Sequence, residues 1–400
     1  MKSWWEVMVH MQAKVYLDNA STTKINKEVL SSYQKLIATY FENSDALYDS
    51  GVFVKNLQEN SRNAIASYFN VAANSVIFTS GASEANNMAI KGVALASKDK
   101  KHIITSSVEH ASVLNSIKQL KNEFNYEVTI LDVDSNGAIN LNDLRKALRK
   151  DTCLVSIMYV NNEVGSINPI YEIANIVKKE SNAYLHIDMV QALGKLEIIL
   201  KDIDLATFSA HKIEGLKGSG LLIKKPHVNM IPLISGGQQE FGLRGGTSNA
   251  LVNALFFKTM RLYLEDNKKI YIKELKEYLL EKLAEIDGIL INTPKHSVDN
   301  IINFSYENIF SEVMMNALNL KGICVSAQST CSSKSDNPSM VLKAMGFSDL
   351  RSKTCIRVSL SKHNTIEEID YFIYSLKEII NKYGSLWYCF GKVWRIKYKR

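Results

Sequence analysis

Between about residue 59 and residue 225, short runs of β-branched and apolar residues alternate with longer stretches whose apolar positions recur at helical spacing. The short runs read as strands and the longer stretches as amphipathic helices. Strands are expected at Ser75–Thr79, His102–Ser106, Glu127–Val133, Cys153–Val160, Tyr184–Asp188, Asp204–Ser209 and Gly220–Ile223. Helices are expected between several of them, at Glu84–Ala96, Ser112–Phe124, Leu141–Arg149 and Tyr171–Glu180. Alternation of this kind predicts an α/β fold built on a mainly parallel sheet covered on both faces. Such sheets bind ligands beyond the carboxyl ends of their strands, so polar residues just after strands are the first candidates for chemistry.

Past about residue 255 the pattern changes. A long charged helix, roughly Met260–Ile286, leads into a smaller mixture of strands and helices that ends in a helix near Ile366–Tyr383, which predicts a second, α+β domain. The expected organisation is a segment 1–15 (extension or part of the small domain), a large domain 16–255, a small domain 256–384 and a tail 385–400. Met11 directly precedes the first strong motif, so residues 1–10 are either an extension or the product of an alternative start.

Composition narrows the class. The 400 residues are 46% hydrophobic and 22% charged, with only 5 prolines and 19 glycines, which excludes fibrous, proline-rich and low-complexity chains. No apolar run approaches the roughly 20 residues needed to span a bilayer, and the first residues lack the apolar core of a signal peptide. The formal charge is 48 − 41 = +7, but Lys392, Arg395, Lys397, Lys399 and Arg400 supply five of the positive charges. The rest is 43 − 41 = +2, nearly neutral, so direct nucleic-acid binding by the body of the protein is not expected. Five widely spaced cysteines without a CxxC pair give neither a disulfide framework nor a zinc site, and suit a reducing cytoplasm.

Three motifs at strand ends carry chemistry. In Phe78-Thr79-Ser80-Gly81-Ala82-Ser83-Glu84-Ala85-Asn86-Asn87 a strand gives way through small residues to a helix start. Free amides there make either a phosphate seat or an ordinary serine-capped turn. In Ser209-Ala210-His211-Lys212, Lys212 is either a Schiff-base lysine or a surface lysine. Asp188 closes the strand Tyr184–Asp188, with Gln191 three residues later; it is either the partner of a protonated pyridine nitrogen or a helix cap. Phosphate seat, carboxylate and lysine in one chain are the parts of a pyridoxal-phosphate enzyme, and the combination is more specific than any part.

With these motifs the chain resembles the cysteine desulfurases of the NifS/IscS type, in the class-V aminotransferase family with the fold-type-I architecture. The resemblance runs from Tyr16-Leu17-Asp18-Asn19-Ala20-Ser21-Thr22-Thr23 to about Tyr383. It includes Glu109-His110, Asn161-Asn162-Glu163-Val164-Gly165, Gly236-Gly237-Gln238-Gln239-Glu240, Leu243-Arg244-Gly245-Gly246-Thr247 and Ile356-Arg357-Val358-Ser359-Leu360. It implies a large domain with a seven-stranded, mainly parallel sheet, a small domain carrying a cysteine loop, and pyridoxal 5'-phosphate as cofactor.

The resemblance also assigns roles. Lys212 matches the Schiff-base lysine. Ala82, Ser83, Ser209 and His211 match phosphate-binding positions, and Thr247 the threonine that reaches the neighbouring subunit's phosphate in a homodimer. Asn162 and Gln191 match contacts to the phenolic oxygen, and Asp188 the partner of the ring nitrogen. His110 matches the histidine stacked on the ring, and Arg357 the arginine that clamps the substrate carboxylate, a bidentate task suited to guanidinium. Arg244 either assists at the dimer-facing site or supports its loop.

Cys331 selects the reaction. It lies in the small, polar stretch Val325–Ser339, and that composition predicts an exposed loop. An exposed thiol there can attack the sulfur of cofactor-bound L-cysteine, giving L-alanine and a persulfide for iron–sulfur clusters, thiolated tRNA or thiamine. Cys153, Cys324 and Cys355 sit in apolar strand-like runs and are expected to be structural. Lys334 and Phe241 depart from the family pattern, at the cysteine loop and after Gln239-Glu240. The competing readings are a selenocysteine lyase or another class-V aminotransferase, and, in a different class, a sulfur-relay or RNA-associated binding protein that uses the basic aromatic tail.

Overall fold

The computed structural model describes residues 15–266, 268–327 and 338–384. The chain forms two compact units: Thr22–Asn161 with Ser166–Asn267, and Met1–Ser21 with Asn162–Gly165 and Lys268–Arg400. The sequence pattern suggested one long helix over Met260–Ile286; instead two helices, Ala250–Glu265 and Lys269–Ala284, fall on either side of the division between units. Both are amphipathic and charged, and without proline or glycine between them their apolar periodicity alone does not reveal the break.

The first unit is built on seven strands: β1 Val76–Thr79, β2 His102–Ser106, β3 Glu127–Leu131, β4 Thr152–Met158, β5 Tyr184–Asp188, β6 Leu205–Ser209 and β7 Gly220–Lys224. Their order is β1-β7-β6-β5-β4-β2-β3. Six run parallel in sense, while β7 is antiparallel to both β6 and β1. All residues of β2, β4 and β6 are buried, as expected for strands covered on both faces. Helices Ala111–Phe124 and Ile170–Glu180 bury apolar stripes (Val113, Ile117 and Leu120; Ile173 and Val177), which places their polar faces outward.

Two buried histidines join strands through neutral hydroxyls. His102 on β2 lies 2.8 Å from both Thr152 Oγ1 on β4 and Thr129 Oγ1 on β3. His186 on β5 lies 2.8 Å from Ser156 Oγ on β4 and 3.0 Å from Thr207 Oγ1 on β6. Burial pushes the His186 pKa down to about 4, so this imidazole is neutral and its two ring nitrogens are both met.

Helix Asp49–Phe69 carries a buried charged group, Arg62. Its Nη1 and Nη2 donate to Glu240 at 2.8 Å each, and Glu240 also accepts from the Phe78 amide at 2.9 Å. The Arg62 guanidinium lies 4.8 Å from the Phe78 ring centroid and 5.0 Å from that of Phe241. Phe241, one of the two departures from the family pattern, therefore covers a structural arginine.

The second unit contains an antiparallel sheet of Ile289–Ile291, Ile301–Tyr306 and Cys355–Ser359, with Ile301–Tyr306 in the middle, and a short parallel pair of Val15–Tyr16 with Ile323–Cys324. Its core joins Leu275, Leu279 and Leu283 to Phe304, Ile356, Phe372 and Leu376. The closing helix Ile366–Tyr383 starts with a capping box between Thr365 and Glu368.

Removing one member of a buried ion pair leaves the other charge uncompensated. Glu240→Ala leaves Arg62 only the partly exposed Glu59, 3.1 Å away, and is therefore expected to destabilise the protein by about 3 kcal/mol in urea unfolding, beyond the cost of a truncated surface glutamate.

Candidate active site

In the first unit the polar groups gather after strands, as the fold predicts. β1 ends at Thr79, and the chain turns through Gly81, whose φ of +154° is one that L side chains rarely adopt. A Cβ on Gly81 would meet nothing within 4 Å, so open space faces this turn, while a Cβ on Gly220 would sit 2.5 Å from the Gly81 backbone. The start of β7 thus approaches the turn backbone to backbone, which only glycine allows.

Ala82 and Ser83 open the helix that follows, Ala82–Asn87, which continues through a π-helical turn, Met88–Gly92. Glu84 fixes this start by accepting from Ser80 N–H (2.9 Å) and Ser80 Oγ–H (2.6 Å) and by pairing with Arg244 Nε at 2.9 Å. Arg244 therefore supports the loop, one of the two roles left open by sequence. Thr247 lines a cavity of about 140 Å³ together with Thr79, Ser80, Gly218, Arg244 and Gly246.

Ser209 ends β6 and Lys212 closes the single 3-10 turn Ala210–Lys212. The Ser209 hydroxyl is buried and has no hydrogen-bond partner. His211 is anchored through its main-chain carbonyl, which accepts from both Thr23 N–H and Thr23 Oγ1–H at 2.9 Å. Its pKa is pushed down to about 4, first by burial and then by the charges of Lys212 and Lys217.

Asp188, at the end of β5, is buried. Oδ1 accepts from the Val190 amide at 3.0 Å and Oδ2 from Asn86 Nδ2 at 2.9 Å. The same Asn86 nitrogen donates to Ser112 Oγ at 2.9 Å, and Ser112 Oγ lies 2.8 Å from His110 Nδ1. His110 caps the helix Ala111–Phe124, with Nδ1 accepting from the Ser112 amide at 3.2 Å. A ring nitrogen that accepts from an amide is unprotonated, so the neutral ring carries its proton on Nε2. Burial is the largest influence on His110 and lowers its pKa; Asp188 opposes this and Lys212 adds to it. Asp188 and Lys212 therefore both act electrostatically on His110.

Asn86 and Ser112 were not singled out by sequence, although both lie beside motifs that were. An asparagine inside a helix start and a serine after a cap carry no signal until the fold brings the segments that follow β1, β2 and β5 together.

Asn162 and Arg357 belong to the second unit. Arg357 lies on the strand Cys355–Ser359 and is only 1% exposed. Nη1 donates to the Asn162 carbonyl (2.7 Å), and Nη2 to Asp18 Oδ1 (2.8 Å) and Ser21 Oγ (2.6 Å). Its Nε is buried without a partner. Cys331, together with Lys334, lies outside the described residues, as does Cys389. Among the described cysteines, Cys153 and Cys355 are buried, with thiols pushed up by burial to about 11 and about 12. Cys324 is half-buried rather than buried; its thiol is also raised, first by burial and then by Asp18. High pKa values keep all three as poor nucleophiles.

Glu109, beside His110, is buried. Oε1 accepts from Ser106 Oγ at 2.6 Å and the Met158 amide at 2.9 Å, while Oε2 has no partner. Burial raises its pKa to about 8, so it is an acid that folds protonated. A raised folded pKa means stability is full below 4.5 and is lost as pH rises through about 8. The loss between pH 5 and pH 8 is expected to be on the order of 3 kcal/mol, and Glu109→Gln should remove it from the pH dependence of urea unfolding.

The first unit's donor set fits pyridoxal phosphate. An unpartnered buried hydroxyl at Ser209 and open space at Gly81 suit a phosphate, Lys212 suits an aldehyde, and Asp188 suits a protonated ring nitrogen.

Comparison with known proteins agrees. The family model described as "Aminotransferase class-V" matches residues 15–372. A "NifS/IcsS protein homolog" from Lactobacillus delbrueckii subsp. bulgaricus is 40% identical, over 93% of this chain and 98% of its own. "Cysteine desulfurase IscS" from Dictyoglomus turgidum is 39% identical, over 94% of this chain and 97% of its own. A solved structure described as a "NIFS-LIKE PROTEIN" superposes with a TM-score of 0.86 at 35% identity, covering 92% of this chain and 99% of that one. The chain belongs to the class-V aminotransferase family of pyridoxal-phosphate-dependent enzymes, among the NifS/IscS-like cysteine desulfurases.

Proposed function

We propose that this protein is a cysteine desulfurase that moves the sulfur of L-cysteine onto Cys331 and releases L-alanine. The observation that carries the reading is the hydrogen-bonded chain from Asp188 through Asn86 and Ser112 to His110, on which Lys212 also acts, within a chain matched over almost its whole length by desulfurases. Pyridoxal phosphate, when bound, supplies an aldehyde that captures amines and a ring that accepts electrons from the carbon next to the nitrogen.

The chain supplies the rest. Lys212 would hold the cofactor's aldehyde, and its amine is the chain's own group for moving a proton beside it. Asp188, kept in line by Asn86 and the Val190 amide, sustains a positive ring nitrogen. Ser209, Ser83, His211 and the Ala82 turn hold the phosphate, with Thr247 as the contribution from a second subunit of a homodimer. Gln191 and Asn162 meet the phenolic oxygen. His110, neutral at physiological pH, presents Nε2–H as a donor. Arg357 takes the substrate carboxylate, and its unpartnered Nε is a donor left for it.

The carbon–sulfur bond of cysteine breaks, a sulfur–sulfur bond forms at Cys331, and the thiol proton ends on the carbon that becomes the alanine methyl group. The persulfide sulfur then passes to an acceptor protein for iron–sulfur cluster assembly, or for tRNA or thiamine thiolation. Free thiols at Cys153, Cys324 and Cys355 suit a reducing compartment such as the cytoplasm. No helix among the described residues is long and apolar enough to cross a membrane.

The first test is the absorption spectrum of the purified protein. A cofactor band near roughly 400–420 nm that shifts on adding L-cysteine and is missing in Lys212→Ala is the expected result. No band after addition of pyridoxal phosphate would sink the proposal. Cys331→Ser should keep the band yet form no persulfide. Arg357→Lys should keep it too but raise KM for cysteine by about tenfold or more, since an ammonium cannot hold a carboxylate bidentately.

A further inference from the structure

Arg357 is already engaged by a carboxylate of its own chain. The amino-terminal segment runs beside the strand Cys355–Ser359: Asp18 bridges Ser359 in parallel, the Ser359 amide donates to the Leu17 carbonyl at 2.7 Å, and the Asn19 amide donates to the Ser359 carbonyl at 3.3 Å. The Ser21 amide then donates to the Asp18 carbonyl at 3.0 Å and closes a turn. This turn lays two acceptors against Nη2 of Arg357, Asp18 Oδ1 at 2.8 Å and Ser21 Oγ at 2.6 Å. Ser21 Oγ–H in turn donates to Asp18 Oδ1 at 2.9 Å. The Asp18 side chain is 16% exposed and that of Arg357 only 1%, so water reaches the acid but hardly the arginine.

A guanidinium can grip a carboxylate with two parallel bonds from either of two edges, Nε with Nη2 or Nη1 with Nη2. Both edges need a hydrogen of Nη2, which carries two. Asp18 and Ser21 take both of them, so the buried Nε–H has no free second prong beside it.

We propose that Asp18 holds the place of the substrate carboxylate: the carboxylate of L-cysteine displaces it from Nη2, closes a fork over Nε and Nη2, and is bound the more weakly for having to make that exchange. The inference rests on the reading in which Arg357 takes the substrate carboxylate.

A buried guanidinium without a counter-charge is strongly destabilising, and Asp18 supplies that charge while the site is empty. During the exchange Ser21 stays on the other Nη2 hydrogen and the Asn162 carbonyl on Nη1, so the guanidinium keeps its orientation. Asp18 keeps the Ser21 hydroxyl and, being partly exposed, gains water. An amide in place of the acid would keep the shape and an acceptor oxygen, yet compete less well, because a bond between two charged groups is roughly twice as strong as a neutral one.

The experiment uses the full-length protein loaded with pyridoxal phosphate. L-alanine, and ethylamine, which is L-alanine without its carboxylate, are titrated against the cofactor absorption band, and the urea midpoint is measured with and without L-alanine. Asp18→Asn should bind L-alanine about tenfold more tightly than wild type, with ethylamine unchanged. Its urea midpoint without ligand should lie below that of wild type, and L-alanine should raise it by more. Asp18→Ser is a second neutral variant, expected to behave in the same way, and decides the matter if Asp18→Asn does not fold. Arg357→Lys is the control that should weaken L-alanine and spare ethylamine. L-alanine bound no more tightly by the neutral variants, or ethylamine tightened as much, would overturn the inference and leave the role of Arg357 standing. L-alanine bound by Arg357→Lys as tightly as by wild type would overturn that role, and this inference with it.

Discussion

A carboxylate taken out of water must be met by donors, and much of the first unit is arranged around that requirement at Asp188. Its two oxygens take the Val190 amide and the Asn86 side chain, and Asn86 then hands its second hydrogen to Ser112, beside His110. One buried charge thus fixes an amide, a hydroxyl and an imidazole drawn from three strand–helix junctions. The turn just beyond Asp188 carries Gln191 and Lys195, so the same strand end also sets the neutral and cationic groups around it. Buried polar networks of this kind are stable only when every member is satisfied. Among the buried side-chain atoms that remain unmet in the described residues, Asn86 Oδ1, Ser209 Oγ and Glu109 Oε2 lie in or beside the motifs that the sequence singles out for chemistry.

Structural and functional charges are kept apart by different devices. Arg62 is neutralised by Glu240 and Glu59, and the rings of Phe78 and Phe241 lie against its guanidinium. His102 and His186 are held between hydroxyls and stay out of the charge balance. Lys195, by contrast, donates to the Gln191 side chain at 3.2 Å, and burial lowers its pKa to about 7.

The sheet was legible from the chain because most of its strands are buried on both faces and read as unbroken β-branched runs; all seven were anticipated, with ends displaced by no more than two residues. Lys212, Asp188 and His110 were legible because each lies at the end of such a run or within four residues after it. Asn86, Ser112 and Lys195 were not, since their meaning depends on junctions brought together from distant parts of the chain, and a polar residue in a turn has many ordinary explanations. The break between Glu265 and Lys269 was hidden for another reason: two amphipathic helices in series keep a continuous periodicity whether or not the backbone bends. Arg357 was found on its expected strand, but its bonds to Asp18, Ser21 and the Asn162 carbonyl follow from the way the amino-terminal segment returns beside that strand.

The reversed strand β7 has a consequence for the timing of assembly during synthesis. Edge strand β1 is made early, yet its ladder partner lies 223 − 76 = 147 residues downstream in the Val76–Ile223 pairing. At a translation rate of about 5–20 residues per second, β1 and the Gly81 turn wait roughly 7–30 s for Gly220 to emerge. Until then the turn has no backbone packed against it, so a nascent chain cannot offer a finished phosphate cradle. The cofactor is therefore a ligand for the completed sheet, and cannot serve as a template around which its first strands form.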